Sequence, residues 1–104
     1  MPRYYALQDF FATYFHQDWD LDDPTTLDVV RRYCRESNSE AVGRVVDDIR
    51  DLFGQKLDEV ELHSLVLREY GISYDPWGDE LRMGEWLHQV LDILLECLSN
   101  SGKR

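Results

Sequence analysis

The sequence predicts an all-α fold, a single compact domain of about five helices. Apolar residues recur at steps of three and four along nearly the whole chain, which is the period of a helix with one buried face. The segments marked this way are separated by short breaks rich in Pro, Gly, Ser and Asn. The only strand-like alternation, Ile72 and Tyr74, is too short and isolated to build a sheet. A chain of 104 residues, 43% apolar and 12% aromatic, has material for one packed core.

The first helix carries Tyr4, Leu7, Phe10, Phe11, Tyr14 and Phe15 on one stripe. Pro24 closes the loop that follows. Thr25 and Asp28 stand at capping-box spacing for a second helix, with Leu27, Val30, Tyr33 and Cys34 facing inward. Ser37-Asn38-Ser39 breaks it, and Ser37 with Glu40 repeats the box spacing. The third helix presents Val42, Val45, Val46, Ile49, Leu52 and Phe53 and stops at Gly54. Asp58 and Glu61 mark the start of a fourth, with Leu62, Leu65, Val66 and Tyr70 inward and Gly71 at its end. Residues 72–82 form a turn-rich loop around Pro76 and Gly78. The last helix carries Met83, Trp86, Leu87, Val90, Leu91, Leu94, Cys97 and Leu98. The helical domain is thus expected over residues 1–98, with residues 99–104 a flexible tail.

A formal net charge of -10 repels phosphates and anionic leaflets, so direct nucleic-acid or membrane binding is not expected. A basic protein partner fits the charge better, since opposite charge also speeds encounter. No stretch approaches the about 18 apolar residues of a spanning helix, and the amino terminus lacks the pattern of a signal peptide. Cys34 and Cys97 stand in no metal or redox spacing and read as reduced core residues, which suits a cytoplasmic protein.

The acids are concentrated in two aromatic loops. In the first, Tyr14-Phe15-His16 runs into Asp18, Trp19, Asp20, Asp22 and Asp23. Neighbouring carboxylates repel one another, so stability alone gives little reason to gather them. An EF-hand is excluded, because its sixth position is Asp23 where glycine is needed and its twelfth is Val29 where glutamate is needed. The second loop, Tyr74 to Glu80, repeats the chemistry with Asp75, Trp77, Asp79 and Glu80. Trp and Tyr are efficient binding anchors, and an indole face attracts Lys or Arg. Trp86, by contrast, lies on the apolar stripe of the last helix and reads as core. Asp47, Asp48 and Asp51 read as a solvated face of the third helix. His16, His63 and His88 fall on different elements and show no metal-ligand spacing.

The run Asp9-Phe10-Phe11-Ala12-Thr13-Tyr14-Phe15-His16-Gln17-Asp18-Trp19 resembles the opening motif of CdiI-type immunity proteins of contact-dependent growth inhibition systems. Glu85-Trp86-Leu87 and the turn through Tyr74 and Pro76 are similar to that family as well, and the likeness extends from Tyr4 to Leu95. The resemblance implies an all-α protein without catalysis or cofactor that binds and neutralises the C-terminal toxin domain of its cognate CdiA protein. Many such toxins are nucleases, whose clefts are basic because they hold phosphates. On this reading Asp18, Asp20, Asp22, Asp23, Asp75, Asp79 and Glu80 supply charge, and Trp19 and Trp77 supply packing anchors. Whether the two loops share one surface is open at this point.

Two readings from other classes stand beside it. Asp48-x-x-Asp51 and Asp58-x-x-Glu61 faintly resemble the magnesium-binding pairs of all-α pyrophosphatases, which would make the chain a metal-dependent phosphohydrolase. An acidic adaptor that binds some other basic protein is the third.

Overall fold

A computed structural model describes residues 4–16, 19–21 and 23–101, with only the backbone of Asp20 and Ser101. Among these residues five α-helices follow one another and there is no strand: α1 (Tyr5–Tyr14), α2 (Thr26–Glu36), α3 (Ser39–Gly54), α4 (Glu59–Ser64) and α5 (Met83–Ser101). Two 3-10 turns, Trp19–Leu21 and Pro76–Asp79, mark the two acidic loops. A π-helical stretch, Leu65–Glu69, extends α4. Helix α5 lies against α2, α3 and α4, while α1 packs on α3.

The inward stripes are largely those the sequence marks. Leu7, Phe10 and Phe11 from α1, with Phe15 just beyond it, meet Val42, Val45, Val46, Ile49 and Leu52 from α3 and Met83 to Leu94 from α5. Helix α2 is rotated slightly from expectation: Thr26, Val29, Val30 and Tyr33 are buried, whereas Leu27 and Cys34 are only half-buried. The rotation has a polar cause. The indole N–H of fully buried Trp86 needs an acceptor and donates to Thr26 Oγ1 at 3.0 Å. At the far end, α5 continues to Ser101, into the stretch 99–104 expected as a tail.

The helix ends follow elementary capping chemistry, with three departures. Thr25 Oγ1 accepts from the Asp28 N–H, but its hydroxyl also donates to the Asp28 carboxylate, so the expected reciprocal box is not made. Asn38, not Ser37, caps α3, its side-chain oxygen accepting from the Ala41 N–H at 2.8 Å. The stop at the end of α3 is made by Lys56 at φ 55, while Gly54 is still helical. At α4 the expected box is complete: Asp58 accepts from the Glu61 N–H and Glu61 from the Asp58 N–H. Gly71 has φ +69, the left-handed conformation that glycine adopts without a Cβ penalty, and it turns the chain into the second loop.

Helix α1 has no local side-chain cap: Tyr4 precedes it in a left-handed conformation. A carboxylate from another helix does the work instead. Asp48 Oδ2 accepts from the Leu7 N–H at 3.0 Å, which ties the first turn of α1 to α3. Asp48 is therefore no part of a solvated face, although Asp47 and Asp51 beside it are exposed. Asp48→Ala should lower stability by about 1 kcal/mol, as losing an N-cap does, while Asp48→Asn keeps an acceptor and should lose less than half of that. Urea denaturation checks this, and equal losses in the two variants would exclude the capping role.

Candidate functional site

The first acidic loop is fixed to the core at both ends. Phe15 is fully buried at the end of α1, and its carbonyl accepts from the Ser73 N–H at 2.9 Å. The His16 carbonyl accepts from the Trp19 N–H and begins the 3-10 turn. At the loop's other end Asp23 is only 8% exposed, and its Oδ2 accepts from Arg32 Nε at 2.9 Å. Burial lowers the affinity of Arg32 for its proton, but Asp23 and then Glu36 outweigh that and raise its pKa. The same guanidinium lies 5.0 Å from the Tyr14 ring centre. Tyr14 Oη donates to Glu36 at 2.7 Å, and burial together with Glu36 pushes the Tyr14 hydroxyl up to about 12.

Asp23 thus departs from the exposed role expected of it, because its charge is held inward by Arg32. Asp18 and Asp22 lie outside the described residues, as does the side chain of Asp20.

The second loop is seated against the first. Tyr74 packs edge-on to Trp19, ring centres 5.9 Å apart, and tilts against Trp86 at 5.3 Å. Trp19 in turn touches Phe15, with ring centres 6.4 Å apart. The two loops therefore form one edge of the molecule, with half-buried Trp19 and Tyr74 as the seam between them. Tyr74 Oη donates to Asp79 at 2.8 Å, and burial followed by this carboxylate raises the hydroxyl's pKa.

Trp77 is 43% exposed but rigidly held. Pro76 is buried and opens the 3-10 turn, while Asp75 Oδ1 accepts from the Trp77 N–H at 3.0 Å. The indole stacks on His63 from α4, ring centres 3.5 Å apart and planes 8° from parallel. His63 Nε2 is hydrogen-bonded to Asp75 Oδ1 at 2.8 Å. Indole Nε1 donates to Glu59 Oε2 at 2.7 Å. Asp75, Asp79 and Glu80 are exposed around it, and Glu80 ends the turn with φ 59. What results is a part-exposed, immobilised indole in a loop with three exposed carboxylates.

Glu59 is the residue that sequence reasoning missed. Its carboxylate accepts from the Met83 and Gly84 N–H groups at the start of α5 as well as from Trp77. Burial alone would raise its pKa, but the Trp77 bond and the two backbone bonds outweigh burial and hold it below the ordinary 4.5. The sequence signal was its position in the first turn of α4, which looks like ordinary helix-dipole compensation. His63 was likewise readable only as a histidine with some partner. His88, on α5, stacks on Phe53 instead.

The acidic pairs of the phosphohydrolase reading are each engaged elsewhere: Asp48 holds α1, and Asp58 and Glu61 cap α4. Among the described residues no three of His, Cys, Asp and Glu gather as metal ligands. No helix of the described residues is long and apolar enough to cross a membrane.

A sequence model of the family described as CdiI immunity protein matches residues 3–94. The chain belongs to the CdiI immunity protein family. The matched span agrees with the resemblance read from the motifs. In structure this CdiI family member is similar to a chain from the crystal structure of a CdiA-CT/CdiI complex from Y. kristensenii 33638. The TM-score is 0.84 over 89% of this chain and 99% of that one, at 20% identity, a level at which the likeness is one of fold. A search of curated proteins finds no match.

Replacing Glu59 should disturb both the indole and the start of α5. Glu59→Gln should cost about 2 kcal/mol at neutral pH, since one oxygen must serve three donors and the charge is lost. Because the folded-state pKa is depressed, the carboxylate's stabilisation is complete above the ordinary 4.5 and is lost as pH falls through the lower folded value. The gap between wild type and Glu59→Gln should therefore narrow between neutral pH and an acid pH below the ordinary 4.5. Denaturation midpoints at the two pH values check this, and a constant gap would show that the charge is not what matters.

Proposed function

We propose that this CdiI family member binds the C-terminal toxin domain of a cognate CdiA protein and neutralises it, without catalysis of its own. The observation that carries the reading is the family match over residues 3–94. It is supported by the fold shared with a chain of the Y. kristensenii CdiA-CT/CdiI complex.

The toxin domain is a nuclease on this reading, with a basic cleft that complements a chain of net charge -10. The docking surface is the edge built by the two acidic loops. Asp18, Asp20, Asp22, Asp75, Asp79 and Glu80 provide its charge. Trp77 is its exposed anchor, Trp19 the seam that aligns the loops, and Asp23 the inward tie that holds the first loop to α2. Such a protein works in the cytoplasm, where an incoming toxin would meet nucleic acid. The engagement of the acidic pairs in capping and tertiary bonds weighs against the phosphohydrolase reading.

Titration against the purified cognate CdiA toxin domain tests the proposal, with binding and toxin activity followed together. Stoichiometric binding with loss of activity is expected, and absence of binding to a folded toxin domain would defeat the reading. Asp20→Lys/Glu80→Lys takes one acid from each loop and should retain helicity by circular dichroism. Its association rate at low salt should fall about tenfold or more, with a weaker salt dependence than wild type. Unchanged kinetics in the folded double variant would remove this edge from the interface while leaving neutralisation itself intact.

A further inference from the structure

Outside the acidic edge, a cavity of about 390 Å³ lies between α2 and α5, lined by Arg31, Cys34, Arg35, Ile93, Glu96, Cys97 and Asn100. Both cysteines of the chain are in it, both reduced and both half-buried. They come from helices whose relative position is fixed by the buried Trp86–Thr26 hydrogen bond. Both residues pack against the margin of the core and line this open cavity.

The two thiols also act on each other directly. Burial, then hydrogen bonding with Cys97, then the charge Cys97 would carry, push the Cys34 thiol up to about 12, and Arg35 partly opposes this. Cys34 is therefore held protonated, within reach of the second sulfur of the pair. Two guanidiniums at the rim are notable in a chain with 11 basic and 21 acidic residues. Arg31 is partly committed to Asp28 at 3.3 Å, whereas the Arg35 side chain is exposed. Together with the Asn100 amide they suit the carboxylates of a small peptide thiol, against the single opposing carboxylate of Glu96.

We propose that Cys34 and Cys97 form a reversible dithiol–disulfide site, oxidised by a low-molecular-weight disulfide that enters the cavity between α2 and α5. In the first step the Cys97 thiolate attacks one sulfur of the small disulfide, forming a mixed disulfide and releasing one small thiolate, which takes up the proton Cys97 lost. In the second, Cys34 gives up its proton and attacks the Cys97 sulfur, forming the Cys34–Cys97 bond and releasing the second small thiol. Two protein thiols are oxidised and one small disulfide is reduced to two thiols. The product joins α2 to α5 covalently, which restricts the unfolded chain and strengthens the folded one.

The test is incubation of the native, full-length protein with oxidised glutathione, read by intact mass, free-thiol titration and peptide mapping. The expected product is lighter by two hydrogens, has lost both thiols, yields a Cys34–Cys97 cross-linked peptide, and unfolds at a higher denaturant concentration until a dithiol reductant reverses it. Cys34→Ser, checked for helicity by circular dichroism, should instead hold one glutathione on Cys97. Cys97→Ser should react far more slowly. If the serine variants fold poorly, the cross-linked peptide from the wild-type chain decides alone. The proposal is overturned if the native wild type stays reduced, carries only glutathione adducts, or forms the cross-link only after unfolding.

Discussion

The buried indole of Trp86 is the constraint on which the rest of the molecule depends. It is 1% exposed, and a tryptophan so placed cannot leave its N–H unpaired without a cost comparable to a lost hydrogen bond. The acceptor is Thr26, which sets the rotation of α2 against α5. The ring faces of the same indole take Phe11, Phe15 and Tyr74 at 5.9, 5.4 and 5.3 Å. One side chain thus positions α1, α2 and the second loop on α5. Through Tyr74 and Trp19 it also determines that the two acidic loops lie side by side.

The carboxylates divide into two populations that a sequence cannot separate. Some are structural: Asp48 caps a helix 41 residues away in sequence, Asp23 is held by Arg32, and Glu59 gathers three donors from two elements. Others, Asp75, Asp79 and Glu80, keep an exposed face even where one oxygen is hydrogen-bonded. An excess of acid therefore does not translate directly into a charged docking surface. Part of it substitutes for caps that the local sequence lacks.

The fold was legible because its signals are local and periodic. The stripes of α1, α3 and α5 repeat at three and four residues, and the Asp58–Glu61 box lies within one turn. What escaped was tertiary. Thr26 looks like any residue of a first turn until Trp86 is placed over it, and the Glu59 carboxylate meets α5 only in the folded chain. The stop after α3 was misplaced because a lysine, not the available glycine, takes the left-handed conformation. Of the candidate site, its composition and the aromatic character of both loops were readable. The contact between Trp19 and Tyr74, which makes one edge of the two, was not, since residues 55 positions apart in sequence carry no mutual pattern.

The stack of Trp77 on His63 has an entropic consequence. A free exposed tryptophan samples several rotamers, and immobilising such a side chain on association costs about 0.5–1.5 kcal/mol. Here the ring is already clamped, by His63 on its face and Glu59 at its nitrogen, before anything approaches. Most of that ordering is completed during folding, so a molecule that settles on the exposed side of the indole meets a surface with little freedom left to lose.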